Sequence, residues 1–284
     1  MGDIETLAIT PIDASHCEAV WPLSIEAGWN QNVTDWRFML GAGRGFGLRG
    51  VDGRWEASSL ILPLGPRLAW ISMVLVTAAR RRAGLGTTLL KRCLAEARSL
   101  GAVAGLDATQ QGRPVYLPFG FVDLYPISRW HFEAVKDVPS GIELQPLGAS
   151  DLPALLAYDV VHSGMERPAL LTHLAGRQPG RAWVARSNGR LSGFVFGREG
   201  RTASSIGPVI ADDEATGLTL IARAASSGPG PFIIDVPDAH DEVRRWLLAQ
   251  GAQSPRGYSR MTLGEAPGLD DPRHVFALAG PELG

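Results

Sequence analysis

The residues best placed to do chemistry stand in one run, Arg80-Arg81-Arg82-Ala83-Gly84-Leu85-Gly86-Thr87. Three arginines precede two glycines spaced two apart, and an amphipathic pattern follows. A helix begins with unpaired backbone N–H groups and a partial positive charge, so an anion placed there is held by the main chain itself. Glycine at that point lets phosphate oxygens come where a Cβ would otherwise stand. A second unusual segment is Gly28-Trp29-Asn30-Gln31-Asn32-Val33-Thr34-Asp35-Trp36. Two tryptophans interleaved with amides and one acid are more than a bare turn requires, although a hydrophobic staple with an N-cap would use them too.

The elements that must position the loop are legible around it. Residues 71–76 form an apolar, β-branched run of strand composition. From Leu85 the apolar residues fall at Leu85, Leu89, Leu90, Cys93, Leu94 and Ala97, the helical period, and Gly101 stands where a C-terminal cap belongs. Upstream, the pattern predicts a strand at 7–12, a helix from the Asp13-Ala14-Ser15 cap to about Glu26, and a short helix ending at Gly41. A hairpin turns at Asp52-Gly53, expected as type I′. Downstream come a strand at 102–108, a short helix at 113–119 and closing strands over 121–135.

Composition narrows the function. Lysine and arginine number 27 against 29 acids, a net charge of −2, so no nucleic-acid or acidic-membrane partner is implied. Cys17 and Cys93 are too few for a disulfide framework, and Cys93 lies on the apolar helix face; a reducing, cytoplasmic setting fits. No leader pattern opens the chain, and the longest apolar run is far too short to span a bilayer. The histidines show no metal-ligand spacing, so no metal is expected.

Beyond a linker at 135–141, containing Asp137, Pro139 and Ser140, the order of elements recurs. A strand at 142–147, a helix capped by Ser150 or Asp151 with Pro153 in its first turn, a helix at 166–174, and strands at 181–186 and 191–196 repeat the first half. Asp52-Gly53-Arg54 and Asn188-Gly189-Arg190 are separated by 136 positions, and Gly41 with Gly176, Val76 with Ile210, and Gly120 with Gly251 keep similar separations. A slowly drifting offset with a shared element order points to duplication. The glycine loop is not repeated. Its place holds Ala211-Asp212-Asp213-Glu214-Ala215-Thr216-Gly217, where acids suit a helix start but repel a pyrophosphate. A helix at 214–225, a strand at 232–236, a helix at 241–249 and strands at 258–263 and 275–279 complete the second half.

Arg81-Arg82-Ala83-Gly84-Leu85-Gly86 resembles the acetyl-CoA loop of the GNAT N-acetyltransferases, Arg/Gln-x-x-Gly-x-Gly/Ala after the fourth strand, and Tyr116 before Phe119-Gly120-Phe121 resembles their Tyr-x-x-x-Gly-Phe. The resemblance implies an α/β (α+β) fold of two tandem GNAT domains, 1–136 and 141–284, each a mixed, mostly antiparallel twisted sheet flanked by helices. The second domain would be degenerate, without a CoA site. Acetyl-CoA would be the co-substrate, its pyrophosphate on Arg81, Arg82, Ala83, Gly84, Leu85, Gly86 and Thr87. Its pantetheine would enter as a pseudo-strand between splayed strands four and five, along the main chain of Val74, Leu75 and Val76, with Thr109, Gly112 and Tyr116 nearby. Thr109 stands where relatives frequently carry Asn, and Val76-Thr77-Ala78 lacks their proline.

Tyr116 would donate a proton to the departing thiolate, since a phenol stays protonated at neutral pH yet hydrogen-bonds a sulfur anion. Trp29, Asn30 and Asp35 would form the acceptor wall. The general base is open: Asp107 is the first candidate, with Asp35, Glu26 or a water chain as alternatives, and His131 reads as structural. The implied reaction is acetyl transfer to the primary amine of a small molecule by direct attack, in a monomer or homodimer. Acetylation of a protein lysine or N-terminus, or a non-catalytic acyl-CoA sensor, are the alternatives. Tyr258 follows its Gly251-Ala252 pair, so the second half does not repeat the proton-donor motif.

Overall fold

In the computed structural model, which describes residues 8–139, 141–266, 268 and 271–284, four strands precede the glycine loop: β1 (Ile9–Ile12), β2 (Arg44–Arg49), β3 (Trp55–Pro63) and β4 (Leu68–Val76). Leu7 of the expected first strand and Ser140 of the expected linker lie outside the described residues. Each strand pairs antiparallel with the next, giving a meander. Between β1 and β2 come a 3-10 turn at Ala14–His16 and the helices α1 (Cys17–Val20), α2 (Pro22–Glu26) and α3 (Val33–Ala42). The single helix expected up to Glu26 is broken because Pro22 lacks the N–H an uninterrupted helix would need.

Alternation along the strands assigns the two faces of this sheet. Phe46 and its partner Ser59 meet helix α4 (Leu85–Ser99): Arg92 lies over the Phe46 ring at 4.2 Å and Cys93 Sγ donates to Ser59 Oγ at 3.3 Å. Gly45 and Leu60, one step away on each strand, face the other side, where Leu40 of α3 lies within reach of Gly45. Trp36, Met39, Leu60, Trp70, Leu89 and Leu90 are fully buried in these two layers. The Asp52-Gly53 hairpin is longer than a two-residue type I′ turn. Gly53 N donates back to Gly50 O, and Gly53, not Asp52, takes the positive φ of 78°.

The chain divides into two compact units, one ending at Ala104 and one running from Gly105 to Gly284. The division falls within a strand, whereas the sequence repeat turns over at 136–141. The second unit begins within β5 (Val103–Thr109), followed by the one-turn α5 (Arg113–Tyr116), a 3-10 turn at Leu117–Phe119 and the long β6 (Phe121–Phe132). Then come β7 (Glu143–Pro146), α6 (Leu152–Ser163), α7 (Pro168–Arg177), β8 (Trp183–Ser187), β9 (Arg190–Glu199), β10 (Ser204–Ala211), α8 (Glu214–Ser226), β11 (Phe232–Pro237), α9 (Asp241–Ala249), β12 (Gln253–Leu263) and β13 (Val275–Ala277). The strand β12 lies between β5 and β6, antiparallel to both, and β6 pairs on its other edge with β11. Within this unit, strands late in the chain therefore lie beside β5 and β6. Strands β7 to β10 continue it as an antiparallel run, joined to β11 by one short parallel ladder.

Candidate active site

α4 begins without a cap. Gly84 takes the left-handed conformation at the N-cap position (φ 81°), no side chain bonds the first-turn amides, and the first turn carries no acid. Two other helices are closed at this point: Asn32 and Asp35 form a reciprocal capping box on α3, and Asp213 accepts from Thr216 N at 2.8 Å on α8. On α4 the first intrahelical bond runs from Thr88 N to Gly84 O at 3.0 Å, so the amides before it have no intrahelical partner. Arg81, Arg82, Ala83 and Gly84 are exposed, and neither arginine has a carboxylate partner among the described residues.

The strand leading into this loop is bulged. Ser58 pairs with Leu75 and Leu60 with Ser72, so Ser59 alone opposes Met73 and Val74, and Met73 holds a φ of 52°. That conformation is uncommon for a side-chain-bearing residue, and Ser58 Oγ secures it by donating to Met73 O at 2.9 Å. The extra residue turns Val74 and Val76 toward the start of α4. A Cβ built on Gly86 would lie 3.6 Å from Val76 Cγ2 and 3.8 Å from Val74 Cγ1, ordinary contact distances. Packing within the chain thus leaves room for a small side chain at Gly86, and what a larger one would fill is the cradle in front of the amides.

The loop is pinned at its entrance. Glu26 Oε1 accepts from Ala78 N at 2.7 Å and from Thr77 Oγ1 at 3.0 Å, Arg80 pairs with Glu56 at 3.1 Å, and Arg81 Nε donates to Val76 O at 3.3 Å. Glu26, an alternative for the base, is therefore an anchor. Asp35 likewise is the reciprocal member of the α3 capping box and only 2 % exposed, so it shapes the expected acceptor wall and is not a free carboxylate. In the same segment Trp29 is half-buried and Asn30 and Gln31 are buried. The Oε1 of Gln31 and the Oγ of Ser72 are buried with no hydrogen-bond partner among the described residues. Ser72 pairs with Leu60, so it faces the α1–α3 side of the sheet. Sequence reasoning missed the bulge and Ser72, because nothing in the run 71–76 marks which residue will be left unpaired.

The remaining candidates belong to the second unit. Tyr116 ends α5, its ring 5.8 Å from that of Phe121, and a Cβ on Gly112 would approach the tyrosine ring at 3.1 Å, so Gly112 lets the ring settle over the turn. Thr109 Oγ1 accepts from Gly112 N at 3.0 Å, which leaves its own proton as the donor to anything else. Arg113 grips Asp123 with Nε and Nη2, and Asp123 also accepts from Ser259, tying the tyrosine turn to β6 and β12. The Arg113 bonds hold the Asp123 carboxyl below its ordinary range.

Asp107 does not stand ready as a base. Both its oxygens accept from Arg260, at 2.9 and 2.8 Å, and the two side chains are 0 % and 1 % exposed. This is a buried ion pair across β5 and β12, and removing a proton from an amine would require the carboxylate to leave it. The arginine supplied by β12 is what the sequence could not reveal. His131 is half-buried on β6, and burial, with Arg129 and Arg256 adding to it, lowers its pKa.

In the second half each acid of the run 212–214 is engaged. Asp212 accepts from Tyr158 at 2.6 Å, Asp213 caps α8, and Glu214 Oε1 accepts from Glu242 N and Val243 N at 2.8 and 3.2 Å, capping α9. The helix start that would correspond to the glycine loop is filled by the chain itself.

Residues 31–121 match the family described as Acetyltransferase (GNAT) family, and residues 155–277 match that described as Acetyltransferase (GNAT) domain. The chain belongs to the GNAT acetyltransferases, as a tandem member. Among solved structures it is similar over its whole length to a Pyrococcus horikoshii protein provisionally named an acetyltransferase, at 18% identity and a TM-score of 0.79 with 98% of that chain covered. A GCN5-related N-acetyltransferase from Sphaerobacter thermophilus aligns at 14% identity and a TM-score of 0.66, covering 94% of this chain and 98% of the other. A tandem GNAT protein from the clavulanic acid biosynthesis pathway aligns at 14% identity and a TM-score of 0.61, covering 92% and 99%. No curated protein matches the chain. Proteins of this family transfer an acetyl group from acetyl-CoA to an acceptor, and this tandem GNAT protein is an acyltransferase. Among the described residues no helix is long and apolar enough to cross a membrane.

Proposed function

We propose that this chain transfers the acetyl group of acetyl-CoA to the primary amine of a small molecule by direct attack, with the cofactor pyrophosphate held at the start of α4. The observation that carries the reading is the uncapped helix start, with Gly84 in the left-handed conformation, space before Gly86 and two exposed arginines beside it that have no carboxylate partner among the described residues. Acetyl-CoA, when bound, supplies an acyl thioester. The amides of Gly84 to Thr87 bind the phosphate oxygens, Arg81 and Arg82 add charge, and the main chain of Val74, Leu75 and Val76 offers strand hydrogen bonds. Tyr116 gives its hydroxyl proton to the departing sulfur, with Thr109 and Gly112 shaping its turn.

Trp29 and Asn30 line the acceptor side. Gln31 Oε1 and Ser72 Oγ, buried without partners, offer polar contacts to an amine. Asp107, Asp35 and Glu26 are each held in structural bonds, so the proton of the attacking amine passes to water. A small acceptor is favoured because the near-balanced charge provides no field for a polyanion or a strongly charged protein tail. The test is CoA release from acetyl-CoA with a panel of small amines set beside lysine-bearing and N-terminal peptides. Turnover with a small amine and not with peptides is expected; turnover with peptides alone would overturn the acceptor class.

A further inference from the structure

In the second unit two neighbouring strands part. β10 and β11 pair in parallel only at Ser204 with Phe232 and Ser205 with Ile233. Beyond that point the edge of β10 is taken by β13, antiparallel, with Val209 opposite Ala277 and Ile210 opposite Val275. Ala211 N donates to His274 O at 3.0 Å, and Leu278 N donates to Asp235 O of β11 at 2.9 Å, so this short strand is bonded to both arms of the fork. Val275, Phe276, Ala277, Leu278 and Ala279 are at most 3 % exposed.

The fit is made at backbone distance. A Cβ on Gly217 of α8 would meet the Phe276 ring at 2.5 Å, and one on Gly207 would run into the Leu278 carbonyl. The Phe276 ring also meets the His240 imidazole, ring centres 4.1 Å apart, and His240 Nε2 lies 2.9 Å from Val275 O. Farther along, Glu282 accepts from the buried Arg198 at 2.6 Å, and Arg167 Nη1 donates to Gly284 O at 2.8 Å.

We propose that residues 274–284 are a built-in occupant of the β10–β11 fork, a strap that takes the position of a cofactor arm and holds the second half closed to acyl-CoA. The inference rests on the tandem GNAT reading and adds to it the group that fills the second fork. Without the strap, the Ala211 amide and the Asp235 carbonyl would be left in an apolar slot with no partner, which a fold does not tolerate cheaply. The mouth of the fork carries Asp212, Asp213 and Glu214, and Asp213 already occupies the α8 amides a phosphate would need.

The experiment uses the full chain, folded, with a protease site introduced at the exposed Gly268 and cut afterwards. Peptide 269–284 should then stay bound through gel filtration, and a labelled synthetic peptide of residues 271–284 should exchange into the cut protein. The same peptide with Phe276→Asp should bind at least 100-fold more weakly. Millimolar acetyl-CoA should displace neither peptide. In hydrogen exchange of the uncut chain under increasing denaturant, Ala211 and Leu278 should lose protection together. Departure of the cut peptide with no change in Ala211 exchange or in unfolding temperature would overturn the proposal, as would its displacement by acetyl-CoA; departure accompanied by unfolding of the second unit would support it. No acetyl transfer is read, so failure here is distinct from failure of the enzymatic reading.

Discussion

Gly86 and Tyr116 carry the proposed chemistry, and each permits a sharp test. Gly86→Val should leave the fold intact, because the nearest side chains lie at ordinary contact distance. The same valine fills the cradle before the α4 amides, so affinity for CoA in titration calorimetry should fall by roughly 100-fold or more. Tyr116→Phe should lower kcat by about 10- to 1000-fold with little change in KM for acetyl-CoA, as expected of a proton delivered while charge develops on sulfur. Asp107→Asn should behave differently from a base substitution. It removes the carboxylate from a buried Arg260, which should cost about 3–5 kcal/mol in chemical denaturation, while the acidic limb of the pH–rate profile stays where it was. Loss of that limb with normal stability would restore Asp107 as the base.

At the scale of elements, the strand–loop–helix unit was legible because its signals are local. β-branched residues, the glycine pair and the spacing of Leu85, Leu89, Leu90, Cys93 and Leu94 all act within a few residues of one another. Cys93 sits on that helix's apolar face, fully buried against Ser59, and burial pushes its thiol up to about 11. A raised folded-state pKa means this contribution to stability is whole below the unfolded-state value of about 8.5 and is lost as pH rises through the folded one. Folding free energy should therefore decline between about pH 8.5 and 11, less so in Cys93→Ala, and Cys93 should resist thiol reagents at pH 8 until the chain unfolds. The bulge in β4 was not legible, since which residue is extra depends on the register against β3. The Asp52-Gly53 and Asn188-Gly189 turns look alike in sequence, yet only Asn188-Gly189 has both residues at positive φ, because β2 ends three residues before Asp52.

At the scale of the molecule, one CoA should bind per chain. α4 presents an uncapped helix start with Gly84 at its N-cap and exposed Arg81 and Arg82 beside it, whereas Asp213 closes α8 and residues 275–279 are buried within the fork of the second half. Titration of the full chain should give a single site, and Gly86→Val should remove all binding heat. Two sites would show that a phosphate can enter past Asp212, Asp213 and Glu214.

The sequence by itself determined the resemblance to the family through its motifs, and the tandem order of elements and the strand–glycine loop–helix unit through periodicity, glycine placement and local charge, which are properties of neighbouring residues. It also marked the acids at 212–214 as unfit for a pyrophosphate. Only the tertiary structure decided that β12 would lie between β5 and β6, bringing Arg260 onto Asp107, and that β13 would return to β10. Strands of similar alternation can pair with any free edge that buries the same face, so the choice is made by all edges competing at once, across long sequence separations.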